Sequence, residues 1–263
     1  MKRRHFLAVG AMALLGANLA TQAQADTLAN IQQRKQVLVA LDLGSPPFGM
    51  TDASMQPVGS DVETAKLFAQ DLGYDLKIVQ VTSPNRIPFL LTNKADIVMA
   101  SLSVTDERKK VIDFSNPYGV IQSVIAARPD QQVKDYSDLV GKRIGTTRGS
   151  VNDTQVTNLA KGAEIVRYDD DATLVTALVS GQVDFMATSP QIMKAANDRD
   201  PKLGFEVKLV MKVFPYAIGI RKGDDALRAR LNEIIAANLA NGKLNAIFAK
   251  YNGTNLPANL NGN

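Results

Sequence analysis

Two short stretches carry residue types that could grip an anion. In "ADIVMASLSVTDERKKVIDFSNPY", residues 95 to 118, an apolar run ends at Ser101-Leu102-Ser103, and Arg108 follows five residues after Ser103. Backbone N–H groups at the end of a strand, joined by a guanidinium returning on a turn capped by Thr105-Asp106-Glu107, would make a bidentate seat for a carboxylate. The same spacing also fits a plain capped turn whose Arg108 joins Lys109 and Lys110 on a solvated face. A second stretch, Thr147-Arg148-Gly149-Ser150-Val151-Asn152, follows "RIGT". There a glycine permits close backbone approach and Ser150 or Asn152 can start a helix, although an ordinary strand-turn-helix connection reads the same way. One seat in each half of the chain is what a cleft between two lobes requires.

Other chemistry is excluded by composition. The chain has no cysteine and a single histidine, His5. Thiol nucleophiles, disulfides, thiolate metal sites and any histidine-based triad or metal site beyond residue 5 are therefore out of reach. No cofactor is expected. The first 25 residues, "MKRRHFLAVGAMALLGANLATQAQA", have a basic start, an apolar middle and an Ala23-Gln24-Ala25 exit, the pattern of an export signal cleaved before Asp26. Arg3-Arg4-His5-Phe6-Leu7 resembles a twin-arginine motif, so both that route and the general secretory route stay open. Without Lys2, Arg3 and Arg4 the balance is 27 basic against 26 acidic residues. A nucleic-acid partner is not expected from so small an excess. A soluble, exported, monomeric protein is.

The elements that must position these seats alternate along the chain. Short apolar runs at 37 to 41, 76 to 81, 96 to 100, 124 to 127, 143 to 146, 164 to 168, 183 to 187, 206 to 211 and 216 to 220 read as strands. Amphipathic stretches between them read as helices, which predicts mostly parallel sheets covered by helices. The number of strands predicts two sheets and two lobes. Ser60-Asp61-Val62-Glu63 reads as a capping box opening a helix that stops at Gly73, and further helices are expected near 172 to 180 and 225 to 240. The tail "GTNLPANLNGN" reads as loose.

At these residues the chain resembles the extracytoplasmic solute-binding proteins of ABC transporters, in the class that binds polar amino acids. The pieces stand in family order over the whole of residues 26 to 263: "LDLGSPPF", "GSDVETAKLFAQDLG", "NRIPFLLTNKADIVMASLSVTDERKKVIDFSNPY", "LVGKRIGTTRGSV", "LVSGQVDFMATSP" and "YAIGIRKGDDALRARLNEIIAANLANGKLNAIFAKY". The resemblance implies a two-lobed periplasmic-binding-protein-like fold of type II. Residues 26–120 and 216–263 would form lobe 1, residues 121–215 lobe 2, and two hinge strands would join them. It implies that Arg108, with the N–H of Ser103 and the segment at Ser150 and Val151, holds a ligand α-carboxylate. Ser101 would offer its carbonyl to the α-ammonium, with Asp42 and Phe48 bordering the side-chain pocket. A membrane permease of an ABC importer is the implied partner and the periplasm the implied location.

Departures from the family pattern bear on specificity. Many relatives carry an aspartate for the ligand ammonium where this chain has Ser189. Val151 replaces a common threonine, and Ser45 stands where some relatives stack an aromatic ring. Arg86, in "NRIP", resembles the subset that binds acidic amino acids, with a structural salt bridge as its plainer alternative, and Arg148 would add a cation on the opposite wall. Three arginines with few facing carboxylates predict an acidic amino acid or small dicarboxylate as ligand. The rival function is an exported cyclohexadienyl dehydratase of the same architecture. Such an enzyme needs a carboxylic acid of raised pKa, for which Asp42 is the one candidate, since Asp169, Asp170 and Asp171 read as a solvated helix start. A receptor's sensing domain is a third class, disfavoured because no membrane or signalling segment follows Tyr251.

Overall fold

The computed structural model describes residues 26–262, so the export signal expected over 1–25 lies outside the described residues. Helix α1 (Thr27–Arg34) leads into strand β1 (Gln36–Leu41), whose Val37, Val39 and Leu41 are buried. A two-strand ribbon, β2 (Met50–Thr51) with β3 (Pro57–Val58), precedes helix α2 (Ser60–Leu72). Helix α2 buries Val62, Ala65, Phe68 and Ala69 on one face and stops at Gly73, whose φ of 81° suits a residue without Cβ. Its start differs from the expected capping box. Gly59 is the N-cap, the Ser60 hydroxyl is buried without a partner, and Glu63 bonds Lys250 and Tyr251 instead of turning back. Strand β4 (Asp75–Gln80), helix α3 (Arg86–Leu91), strand β5 (Ile97–Val98) and the single turn α4 (Asp106–Lys109) follow. β5 is shorter than the run 96 to 100, although Asp96 and Met99 still donate to Leu38 O and Ala40 O of β1; the Asp96 carboxylate also takes the Leu38 N–H at 2.7 Å and pairs with Arg34.

The next strand, β6 (Asp113–Ala127), is 15 residues long and ends in the other lobe. That lobe contains β7 (Arg143–Thr147), α5 (Val151–Leu159), β8 (Glu164–Tyr168), α6 (Asp171–Val179), β9 (Phe185–Thr188) and α7 (Pro190–Arg199). Strand β10 (Glu206–Ile220), also 15 residues, returns to the first lobe, which α8 (Asp225–Ala240) and α9 (Lys243–Asn252) complete. The sheet order is β4-β1-β5-β10-β6-β9-β7-β8. Pairing is parallel within β4-β1-β5 and within β9-β7-β8, and antiparallel for the two long strands between them. The chain is therefore an α/β protein of two lobes flanked by helices; where two sheets were expected, one eight-stranded sheet runs through both, parallel at either end and joined by the two long strands.

The fragments expected at 206 to 211 and 216 to 220 are one strand, and 124 to 127 is only the end of another. Pro215 lies opposite Val120 within this ladder. It has no N–H to give, and its carbonyl instead accepts the Val104 N–H at 2.9 Å. Where the strands cross between lobes, Tyr118 and Tyr216 stack edge to face with centroids 4.9 Å apart. A Cβ on Gly119 would meet the Tyr216 ring at 2.2 Å, so the crossing needs a glycine there. The apolar core continues from α2 and α8 through Tyr118 and Phe214 to α6 and α7. The tail is less loose than expected, since Leu256 packs on this core and its N–H bonds the Asn245 side chain at 2.8 Å.

Candidate functional site

The carboxyl ends of β1, β5, β7 and β9 point into one cavity between the lobes, the place where an open α/β sheet leaves room for a ligand. Asp42, Phe48, Arg86, Ser101, Ser103, Arg108, Ser150, Val151 and Ser189 all line it. Arg148 does not. Its side chain is exposed, lies 3.6 Å from Asp169 and faces solvent, so the expected cation on the second wall is missing. Among the lining residues that were not foreseen, Asp171 is the one that carries a charge.

One end of the cavity is built to receive negative charge. Thr105 caps α4 by accepting the Arg108 N–H at 3.2 Å, which fixes the turn, and the Arg108 guanidinium donates to Ser103 O at 2.8 Å. Burial, with Arg86 nearby, pushes Arg108 down to about 9, so its charge is held at a cost. Among the described residues no carboxylate lies in salt-bridge reach of it. Ser103 bridges to Tyr216 through its neighbours, Val104 N–H to Pro215 O and Ala217 N–H to Leu102 O, so its own N–H takes no part in that bridge. Across the gap Ser150 caps α5 by accepting the Asp153 N–H at 3.1 Å. The Val151 and Asn152 amides are the first of that helix and have no partner within it.

The other end carries the opposite charge. Asp42 follows β1, and its carboxylate accepts the Gly44 N–H at 3.0 Å. Burial, and next the charge of Asp171, raise it to about 6 against the lowering effect of Arg86. Asp171 opens α6, and its carboxylate accepts hydroxyls from Ser45 at 2.5 Å and from Thr147. Burial raises Asp171 as well, while those two hydroxyls and Arg86 oppose the rise. Arg86 is buried and donates to Ala100 O at 2.9 Å and Ser83 O at 3.1 Å. Asp42, Asp171 and the deeper Asp61 favour its charge, and burial opposes it. Asp61 accepts the Ser101 N–H and so holds Ser101 at φ 41°, a left-handed conformation that serine seldom takes.

The lobes touch around this cavity. Ala172 N–H donates to Gly44 O at 2.9 Å beside the Ser45–Asp171 bond, and a Cβ on Gly149 would lie 3.2 Å from Pro84. Ser189 caps α7, accepting the Ile192 N–H at 3.4 Å. Phe48 is buried under the loop that carries Asp42 while also forming part of the wall. No helix among the described residues is long and apolar enough to cross a membrane.

Residues 37–254 match the family model described as bacterial extracellular solute-binding proteins, family 3. The ABC transporter glutamine-binding protein GlnH of Bacillus subtilis is 28% identical over 238 residues, which cover 88% of this chain and 86% of that one. A crystal structure of a mutant of ArgBP from T. maritima aligns with a TM-score of 0.80 at 32% identity, over 87% of this chain and 100% of that chain. The ancestral amino acid-binding protein AncCDT-1, a precursor of cyclohexadienyl dehydratase, aligns with a TM-score of 0.77 at 28% identity, over 86% and 99%. A two-lobed fold, a charged cavity between the lobes and sequence likeness along most of the chain agree that this protein belongs to family 3 of the bacterial extracellular solute-binding proteins, as an amino-acid-binding protein of an ABC transporter.

Proposed function

We propose that the protein captures a polar α-amino acid whose side chain is neutral or cationic and delivers it to the permease of an ABC importer. The reading extends to residues 26–120 and 216–263 as lobe 1 and 121–215 as lobe 2, to export with residues 1–25 removed, and to a monomer in the periplasm. Its main support is the half-buried Arg108, a guanidinium facing the cavity without a carboxylate partner among the described residues. The ligand α-carboxylate takes Arg108 together with the Ser103 N–H and the first amides of α5. Closure of the lobes is then favoured because the contacts from Val151 and Asn152 exist only when both lobes meet the ligand.

An acidic ligand no longer follows. That expectation counted three arginines and few carboxylates. With Arg148 outside and Asp171 inside, two guanidinium groups face two carboxylates. A second acid on the ligand would sit beside Asp42 and Asp171, where burial and the charge of Asp171 already raise Asp42. Relatives named for glutamine and arginine agree with this charge count. Calorimetric titration of the mature protein with L-glutamine, L-arginine, L-glutamate and L-aspartate tests it. Glutamine or arginine is expected to bind tightest, and tighter binding of glutamate or aspartate overturns the assignment. Asp42, raised to about 6, also satisfies the one requirement of the dehydratase reading. Loss of prephenate or arogenate on incubation with the protein would replace binding by catalysis.

A further inference from the structure

We propose that Asp171, from the start of α6 in the second lobe, is the residue that selects for the ligand's α-ammonium, doing so opposite Asp42 of the first lobe. The inference rests on the reading that the cavity receives an α-amino acid. Ser189, on the α7 wall of the cavity, is uncharged and already caps α7. An ammonium entering the site would find no anion there. Asp171 reaches the same cavity from a different element.

Three features fit it for the task. Its two oxygens each accept one hydroxyl, from Ser45 of the first lobe and Thr147 of the second, so its plane is fixed from both sides. Each carboxylate oxygen accepts more than one bond, so capacity remains for a further donor. No cation among the described residues lies within salt-bridge reach of it; Arg86 donates to Ala100 O and Ser83 O and lowers it only from a distance. An ammonium has three N–H donors in a tetrahedral spread. Asp42, Asp171 and Ser101, which all carry acceptors, line the one cavity. The arrangement also ties recognition to closure. The Ser45 hydroxyl that orients Asp171 comes from the opposite lobe, so the ammonium acceptor is fully ordered only when the lobes meet.

The test compares amino acids with their deaminated analogues by calorimetric titration: L-arginine against 5-guanidinopentanoate, and L-glutamine against 4-carbamoylbutanoate. For whichever amino acid binds the wild type, Asp171→Asn is expected to weaken it by about 30-fold or more, the low end of what losing one partner of a buried charge pair costs. The analogue, which has no ammonium, is expected to change by less than about 3-fold. Adding Ser189→Asp to Asp171→Asn returns a carboxylate to the same cavity from the start of α7 and is expected to recover most of the lost affinity for the amino acid alone. Equal losses for amino acid and analogue, or no loss for either, overturn the role of Asp171 while leaving the binding function in place. A wild type that binds neither amino acid overturns the underlying reading as well. Should Asp171→Asn fail to fold, the wild type still decides. At pH 6 binding of the amino acid is expected to release protons from the Asp42 and Asp171 pair and binding of the analogue to release none. Equal release from both overturns the proposal.

Discussion

Arg86 and Arg108 are the same residue type, each on a short helix that follows a strand of the first lobe, and each donates to a backbone carbonyl nearby. Their surroundings differ. Arg86 is buried among Asp42, Asp171 and Asp61, whereas Arg108 has only the exposed Glu107 of its own turn to favour its charge. Charge already balanced inside the protein holds the site together. Charge left unbalanced at its surface is what a ligand comes to balance. The plainer reading of Arg86 is a structural salt bridge at a helix start, yet among the described residues no carboxylate lies within salt-bridge reach of it, and Asp42, Asp171 and Asp61 favour its charge from a distance.

Substituting the two arginines separates these roles. Arg86→Met leaves Asp42 and Asp171 without their shared counter-charge and two carbonyls without donors. The unfolding free energy of the empty protein is expected to fall by about 3–5 kcal/mol, measured by chemical denaturation. A loss under about 1 kcal/mol would mean that the carboxylates accommodate by protonation and that Arg86 is no frame. Arg108→Met removes a desolvated cation that nothing pairs with. The empty protein is expected to stay within about 1 kcal/mol of wild type or gain stability, while affinity for the amino acid falls by about 3–5 kcal/mol. Affinity that survives the change removes Arg108 from the seat.

The carboxylates sharpen the same contrast through pH. Asp42 stands at about 6 in the folded protein, above the usual carboxylate value near 3.9 of an unfolded chain. Between those values the folded state holds a proton that the unfolded state has released, so stability falls as pH rises through the window. Asp171 and Asp170 act in the same direction on Asp42, and Arg86 and the Gly44 N–H oppose them. Asp61 is raised as well, chiefly by burial. For the empty protein the Asp42 share of this loss is expected to be on the order of 2–3 kcal/mol between pH 4 and pH 7. Asp42→Asn should remove it, seen as a flatter dependence of unfolding free energy on pH than wild type. An unchanged slope would show that Asp42 is not desolvated.

How far the sequence foretold this site depends on how local each cause is. Ser103, Arg108 and Ser150 were legible because a strand end, a capping residue and a turn lie within a few positions of one another. Asp169-Asp170-Asp171 was not. Asp169 turns out to Arg148, Asp170 caps α6 by accepting the Thr173 N–H at 2.7 Å, and Asp171 turns inward. What turns it is Ser45, 126 positions away in the chain and in the other lobe, together with Thr147 on the neighbouring strand. No local pattern distinguishes three aspartates in a row. The long strands were missed for a related reason: their apolar runs are interrupted, yet β6 and β10 carry Pro117 and Pro215 through the crossing, where the ladder shifts register. Helix α8, whose apolar spacing runs through Leu227, Leu231, Ile234 and Ile235, ended where Asn241-Gly242 said it would.

Two serines offer the finest version of the comparison between what is used inside the protein and what is not. Both stand at the start of a helix, Ser150 just before α5 and Ser60 as the first residue of α2, and both read as caps. The Ser150 hydroxyl accepts the Asp153 N–H and holds the start of α5, the helix whose first amides face the cavity. The Ser60 hydroxyl is buried on α2 and accepts or donates nothing among the described residues. Ser150→Ala is expected to cost about 1 kcal/mol of stability. It should also weaken amino-acid binding slightly, because the freed helix start no longer presents its amides in a fixed direction. Ser60→Ala, which removes an unsatisfied polar group from an apolar setting, is expected to leave stability unchanged or raise it by up to about 1 kcal/mol. Thermal unfolding of both variants side by side decides the matter. If Ser60→Ala proves the costlier of the two, Ser60 has a partner in solution, and the start of α2 is capped after all in the way its sequence suggested.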